Sequence, residues 1–293
     1  NQSFNSKLKI IDGDVQNFSL LVESIKNIDI IYHLAGQVAV TSSLINPNND
    51  MENNLFGTFN VLEAIRQSKN NPALIFTSTN KVYGTLKSLN FIENKNRYIC
   101  TDMPNGISED QSLDFFSPYG CSKGAADQYV YDYSRTYGLR TVVFRMSCIY
   151  GPRQFGTTHQ GWLSHFIRSI INNQPITIYG DGKQVRDILF IDDLSRALEM
   201  AGNNLDIVAG NIYNIGGGPQ NTISIWNEFS KILSNLNNSK LPPISYEKAR
   251  RGDQCYYVSD IRKIRTELNW TPEYSVKDGI IKLWSWCIEN KAL

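Results

Sequence analysis

The sequence predicts an α/β fold: a doubly wound parallel sheet that lacks its first strand-helix unit, with a smaller α/β lobe toward the C-terminus. Two observations support this. Short apolar runs alternate with helical segments through the first half of the chain, and the alternation loosens beyond Gly151. The 293 residues, 41% of them hydrophobic, are also enough to bury a large core.

The predicted elements follow from the apolar periodicity in chain order. Strands are predicted at 8–11, 29–34, 73–78, 141–146 and 176–179, and helices at 18–26, 49–68, 118–137 and 162–172. The strand at 29–34 is apolar throughout, so we expect it to be buried on both faces. Ser117 is a favourable N-cap before Pro118, and Gly138 stands where a C-cap glycine belongs.

Composition limits the classes of function. A formal net charge of +1 provides no basic field for nucleic acid. The sequence has no run of 18 apolar residues and does not start like a signal peptide, so we expect no membrane insertion and a cytoplasmic location. The five cysteines form no CxxC pair and have no ligand-like spacing to the three histidines, so we expect reduced thiols and no metal site.

Tyr119 and Lys123 are the first candidates for chemistry. They stand four positions apart, so on a helix they share one face, one turn from each other. A nearby ammonium and the N-terminal end of a helix both favour a phenolate, the form that acts as a general base. Thr79, at the end of an apolar strand, could share a substrate proton. The alternative for the Tyr-Lys spacing alone is an exposed pair on a solvated helix face.

Several further segments stand in the order found in a known family. They are HLAG (33–36), STNKVYG (78–84), YGPRQ (150–154), GDGKQVRD (180–187) and NIGG (214–217). With the Tyr-Lys spacing, the chain resembles the extended short-chain dehydrogenases/reductases, the NAD-dependent sugar-nucleotide epimerases and dehydratases, over essentially its whole length. The resemblance implies a Rossmann-like NAD domain at 1–152 with a contribution from 183–217, and a substrate lobe formed by 153–182 and 218–293.

The glycine-rich turn of such a domain is absent from the sequence. A dinucleotide-binding fold opens with a strand, a GxxGxxG turn and a helix that receives the pyrophosphate. This chain begins near what looks like the third strand, so we expect it to be a fragment of a longer protein. If the chain is complete as written, NAD binding is in doubt, and an inactive nucleotide-sugar-binding fragment remains an alternative.

The resemblance implies cofactor-binding residues along the first half of the chain. They are Asp14, Val15, Leu34, Ala35, Gly36, Asn54, Thr77, Tyr119 and Lys123. Asp14 matches a position that meets the adenine amino group, and its alternative is a turn or N-cap residue. Asn54 matches a buttress of the cofactor and the catalytic strand, and its alternative is a helix residue facing water. Lys123 is expected both to bind the nicotinamide ribose and to lower the pKa of Tyr119.

Substrate binding is implied at Thr79, Asn80, Arg186 and Arg251. The two arginines match positions that grip a nucleotide diphosphate, which a planar guanidinium binds bidentately. Their alternative is a surface arginine paired with Asp187 or Asp253. Cys148 stands where relatives often carry an asparagine that reaches the diphosphate.

The residues after Thr79 bear on the reaction. Dehydratases of the family carry an Asp-Glu acid and base pair there, whereas this chain has Asn80 and Lys81. Oxidation and re-reduction are therefore favoured over elimination. The run 113–129 resembles epimerases acting at C2 of CDP-linked 3,6-dideoxyhexoses, which implies a CDP-linked hexose as substrate. A 4-epimerase or a 4,6-dehydratase remains an alternative. A homodimer or higher homo-oligomer is expected through helices 49–68 and 118–137.

Overall fold

The computed structural model describes residues 8–290. Within that range the strands are β1 (Ile30–His33), β2 (Ala73–Thr79), β3 (Phe91–Glu93), β4 (Tyr98–Cys100), β5 (Thr141–Met146), β6 (Cys148–Tyr150), β7 (Ile176–Tyr179), β8 (Val185–Phe190), β9 (Asn211–Ile215), β10 (Thr222–Ser224), β11 (Ile244–Glu247) and β12 (Tyr256–Tyr257). The helices are α1 (Phe18–Ser24), α2 (Val40–Ile45), α3 (Pro47–Asp50), α4 (Gly57–Gln67), α5 (Ser117–Tyr137), α6 (Trp162–Ile171), α7 (Ile191–Asn203), α8 (Leu205–Val208), α9 (Phe229–Leu236), α10 (Arg262–Leu268) and α11 (Val276–Glu289). A π-helical segment, Met51–Phe56, joins α3 to α4, and a 3-10 turn, Asn80–Tyr83, follows β2.

The main sheet is parallel, with the strand order β1-β2-β5-β9. Helices α1, α4 and α5 cover one face through a buried cluster that includes Leu62, Ile65 and Val130. Helices α7 and α10 cover the other face through Ala197 and Ile264. Both faces of β2 are consequently buried, which confirms the prediction of a doubly wound parallel sheet.

A second core lies among the later elements. Strand β8 pairs with β6, β10 and β12, and β7 pairs with β11. Aromatic side chains of this core, among them Tyr150, Phe166 and Phe229, pack between these strands and α6, α9 and α11. Strand β9 joins the main sheet while β8 belongs to the second group. The division of the chain into a cofactor domain and a substrate lobe stays a prediction.

Two strand predictions at the start of the chain need correction. Residues 8–11 pair with no other strand within the described range, and Ile10 is 74% exposed. Strand β1 is buried only at His33 and not on both faces, because it pairs with β2 alone and leaves Tyr32 exposed. The helix predicted at 49–68 is continuous only if the π-helical segment is counted, and the helix predicted from Pro118 begins at Ser117.

A buried ion pair fastens α5 to the main sheet. The Arg145 guanidinium on β5 donates to both carboxylate oxygens of Asp127, at 2.8 and 3.0 Å, and both side chains are almost fully buried. Ser78 on β2 donates to the same carboxylate at 2.7 Å, and Arg145 also donates to the Tyr83 hydroxyl. Since every charge in the group has hydrogen-bond partners, burial does not leave an isolated ion.

We expect Asp127→Ala to lower the free energy of unfolding by about 3–5 kcal/mol, because it leaves the Arg145 charge buried and unpaired. Asp132→Ala is the matched control, since Asp132 pairs with Arg135 on the same helix but in an exposed position. That pair should contribute less than about 1 kcal/mol. Urea denaturation measures the free energy of unfolding of each variant and of the wild-type protein. Equal losses in the two variants would contradict a structural role for the buried pair.

Candidate active site

The C-terminal end of β2 and the first turns of α5 bring together the predicted triad. Thr79, Tyr119 and Lys123 are all at least nine-tenths buried. Ser117, predicted as the N-cap, is instead the first residue of α5, and Phe116 occupies the N-cap position; the Ser117 hydroxyl accepts a hydrogen bond from the Gly120 amide at 3.2 Å. The Tyr-Lys pair therefore faces the protein interior at the carboxyl edge of the sheet, where ligands of such folds bind, and does not lie on a solvated helix face.

The electrostatics of Tyr119 depart from expectation. Burial raises the pKa of Tyr119, and a hydrogen bond with Thr79 offsets this only in part. Lys123 is not among the groups that shift the pKa of this phenol, contrary to the prediction; its ammonium donates to the Thr77 carbonyl at 2.6 Å and lies 4.2 Å from the centre of the Phe76 ring. Burial lowers the pKa of Lys123 itself to about 8.

Asn54 connects the loop after β1 to α5. Its carbonyl oxygen accepts from the Gln37 amide at 2.8 Å, and its amide nitrogen donates to the Ser122 hydroxyl at 3.0 Å. Leu34, Ala35 and Gly36 precede Gln37 and are exposed. A Cβ on Gly36 would lie 2.7 Å from the Asn54 oxygen, so only glycine fits this close approach. Asn54 is buried and does not face water.

The other cofactor candidates lie near the same edge. Thr77 donates its hydroxyl to the His33 carbonyl at 3.1 Å. The Asp14 carboxylate accepts from the Gln16 amide at 2.8 Å in an exposed turn before α1, which is the turn role considered as its alternative. Val15 packs against Gly57, where an added Cβ would lie 2.7 Å from a valine methyl. The cofactor roles of these residues stay predictions.

A cavity of about 520 Å³ opens beside the triad. Its lining includes two of the predicted catalytic residues and the predicted substrate-binding residues, together with other polar side chains: Thr79, Asn80, Lys81, Tyr119, Cys148, Arg186, Arg250, Arg251 and Asp253. Cations outnumber carboxylates in this set, so the cavity is suited to an anionic ligand. The structure thus joins the end of β2 to residues that lie more than 100 positions later in the chain.

Arg186 is largely occupied by the protein itself. Its guanidinium donates to the Asp253 carboxylate at 2.8 Å and to the Gln254 and Val185 carbonyls. The ion-pair alternative is therefore present, with Asp253 and not with Asp187. Arg251 is exposed at the cavity. Binding of a diphosphate by either arginine stays a prediction.

Sequence reasoning missed one cationic contributor to this cavity wall, Arg250. Arg250 lies over the Tyr179 ring at 3.9 Å and donates to the Thr158 carbonyl. Asn80, which was predicted from the sequence to bind substrate, donates its amide to the Gln254 side chain at 3.3 Å. The neighbouring arginines at 250 and 251 were the only sequence feature that could have indicated the role of Arg250. The contacts with Gln254 and Thr158 join segments that are far apart in sequence, so no local pattern predicts them.

A protein-family model described as GDP-mannose 4,6 dehydratase matches residues 1–283. The chain belongs to this family. The family comprises NAD-dependent epimerases and dehydratases, so the predicted membership and the prediction of an enzyme are confirmed.

Relatives include both kinds of enzyme. A CDP-paratose 2-epimerase of Salmonella typhi is 44% identical over 95% of this chain and 84% of its own. A dTDP-glucose 4,6-dehydratase of Neisseria gonorrhoeae is 31% identical over 90% of this chain and 75% of its own.

Solved structures of the same fold are also similar. A dTDP-glucose 4,6-dehydratase of Streptomyces venezuelae, solved with NAD and TYD bound, has a TM-score of 0.83 and 27% identity, and the match covers 99% of this chain and 83% of that chain. A UDP-glucuronic acid 4-epimerase of Bacillus cereus, in complex with UDP-glucuronic acid and NAD, has a TM-score of 0.82 and 28% identity, with 98% and 83% covered.

The part of the chain that the structure describes also bears on membrane spans and metal sites. None of its helices is both long and apolar enough to cross a bilayer. Between residues 8 and 290, no group of three or more His, Cys, Asp or Glu side chains is arranged to hold a metal ion.

We expect Tyr119→Phe to retain NAD while losing turnover of a nucleotide sugar by about a hundredfold or more, since it removes the general base without changing the ring. Cofactor absorbance and rate measure the two effects separately. Tyr131→Phe, on the same helix, is the matched control and should keep both. A Tyr119→Phe variant with a near-normal rate would refute the assignment.

Proposed function

We propose that the protein is an NAD-dependent epimerase that converts CDP-paratose to CDP-tyvelose by oxidation and re-reduction at C2. The observation that carries the proposal is the 44% identity to a CDP-paratose 2-epimerase over 95% of the chain. The cation-lined cavity beside Thr79 and Tyr119 is suited to an anionic nucleotide sugar and supports the same reaction class. The related 4-epimerases and 4,6-dehydratases support the alternatives only as members of the family.

The site residues fit a nicotinamide dinucleotide. The exposed turn at 34–36 allows its backbone to approach a ligand closely. The ammonium nitrogen of Lys123 lies near this turn, 4.0 Å from the position that a Cβ on Gly36 would occupy. Bound NAD would supply the hydride acceptor and donor. Lys123 would bind its ribose hydroxyls and orient it next to Tyr119.

The chain's own side chains supply the proton chemistry. Tyr119 takes the proton from the C2 hydroxyl during oxidation and returns it during reduction. Thr79 bonds the phenol and stabilises its charged form. The cationic cavity wall holds the diphosphate while the hexose ring rotates. The 2-keto sugar thereby presents its opposite face to the cofactor. No proton leaves a carbon to solvent in this scheme.

The residues after Thr79 do not support elimination. An amide cannot transfer a proton, and that of Asn80 is engaged with Gln254. Burial lowers the pKa of Lys81, but Asp253, 3.6 Å away, favours its charged form. The acid and base pair that a dehydratase places at these two positions is therefore not reproduced.

A homodimer is part of the proposal. Helices α4 and α5 present a surface cluster of aromatic rings that contact one another edge to face: Phe59, Tyr129, Tyr133 and Tyr137. Three of the four are more than a third exposed, Tyr133 being the buried one. An apolar patch on two adjacent helices suits association with a second copy of the same surface.

The direct test is incubation of the protein with CDP-paratose and analysis of the products. We expect CDP-tyvelose, at unchanged mass, and no release of NADH, because the cofactor is reoxidised in each cycle. A product lighter by one water would indicate a dehydratase. Stoichiometric NADH would indicate a one-way dehydrogenase, and either result would contradict the proposal.

A further inference from the structure

Lys81 and Asp253 form an ion pair on the cavity wall that is too long for a hydrogen bond. The ammonium nitrogen lies 3.6 Å from one carboxylate oxygen, and the side chains are 20% and 24% exposed. Both residues line the cavity that contains Tyr119. The pair therefore lies partly out of solvent but open to a bound substrate.

Each partner retains hydrogen-bonding capacity. Among residues 8–290, no acceptor lies within hydrogen-bond distance of the Lys81 ammonium, which has three donors. Asp253 uses one oxygen, Oδ1, to accept from Arg186 and from the Gln254 amide. Its other oxygen accepts no hydrogen bond from the described residues. Both residues line the cavity and are partly exposed, so the unused donors and the unused acceptor lie side by side within reach of a bound ligand.

The chemistry of the pair selects the kind of ligand. A hydroxyl can accept from an ammonium and donate to a carboxylate at the same time, so it fits between the two. A phosphate would meet the Asp253 carboxylate as a like charge, which is unfavourable at short range in a partly buried site. Other cations of the cavity, such as Arg251, are free of that conflict.

The position of Lys81 places this ligand near the reacting carbon. The backbone amide of Lys81 donates to the hydroxyl oxygen of Thr79 at 3.2 Å. Lys81 therefore lies directly beside this member of the predicted triad. Gln254 reinforces the arrangement by bonding both Asn80 and the Gly84 carbonyl. The segment after β2 is thus fixed against the 253–254 segment, with the ammonium and the carboxylate on the same wall.

We propose that Lys81 and Asp253 bind a hexose hydroxyl other than the one that is oxidised, and so determine which sugar the site accepts. The inference rests on the proposed function. In a 3,6-dideoxyhexose linked through C1, oxidation at C2 leaves the C4 hydroxyl as the one free hydroxyl for this pair. A lysine suits the task because its flexible stem and three donors can follow a ring that turns over, whereas a planar arginine fork is fixed.

A double-mutant cycle between the protein and the substrate tests the inference. Four values of kcat/KM are measured: those of the wild-type protein and of Lys81→Met, each with CDP-paratose and with its 4-deoxy analogue. We expect loss of the hydroxyl to lower kcat/KM about tenfold or more in wild type, as for a hydrogen bond to a charged group, and to have little effect in Lys81→Met. Independent, multiplicative effects would overturn the inference.

Binding of CDP alone separates a sugar contact from a phosphate contact. We expect Lys81→Met to bind CDP like wild type in calorimetry, whereas Arg251→Ala should bind it more weakly if that arginine holds the diphosphate. A Lys81→Met variant with weakened CDP binding would assign the ammonium to the phosphate and overturn the proposal. Lys277→Met, an exposed lysine on α11, is the matched control and should change neither quantity.

The test remains decisive if the Lys81 variant does not fold, and it separates failure of this inference from failure of the proposed function. If Lys81→Met does not fold, the wild-type protein with the 4-deoxy analogue still decides the matter, because an unchanged kcat/KM would overturn the inference. Wild-type protein that fails to epimerise CDP-paratose contradicts the proposed function. Wild-type protein that epimerises it, but shows no coupling between Lys81 and the hydroxyl, contradicts only the role of this pair.

Discussion

The bidentate ion pair between Asp127 and Arg145 is the interaction on which the active site depends. It lies between the main sheet and α5, and Ser78 and Tyr83 complete its hydrogen bonding. Ser78 directly precedes Thr79 on β2, and Lys123 lies one helical turn before Asp127. A buried charge pair tolerates little displacement, because any shift leaves a desolvated charge unpaired. The pair thereby fixes the position of α5 relative to β2 and β5.

The burial that fixes the triad also opposes its charged forms. Desolvation raises the pKa of Tyr119 and lowers that of Lys123 to about 8, so both groups are shifted toward neutrality. An oxidised nicotinamide carries positive charge, and a positive charge close to a phenol favours the phenolate. In the proposed mechanism the cofactor therefore completes the base that the protein prepares, and the two are coupled electrostatically.

Local patterns in the sequence predicted the elements that support the site. The bounds of β5 and β7 agree with the apolar runs, β2 is one residue longer than predicted, and Gly138 has the left-handed C-cap conformation. Contacts between distant segments could not be read this way. The partner of Arg186 lies 67 positions away, and that of Asn80 lies 174 positions away. The pKa of Tyr119 likewise depends on tertiary burial, which the Tyr-Lys spacing does not encode.

Transfer of an isotope label tests the central claim most directly, namely that hydride leaves and returns to the same sugar carbon. Protein carrying deuterium on its reduced nicotinamide would be supplied with the 2-keto nucleotide sugar, and the product would be examined by NMR. The account predicts deuterium at C2 alone. Deuterium at C4, or exchange of the C2 hydrogen with solvent during epimerisation, would contradict it.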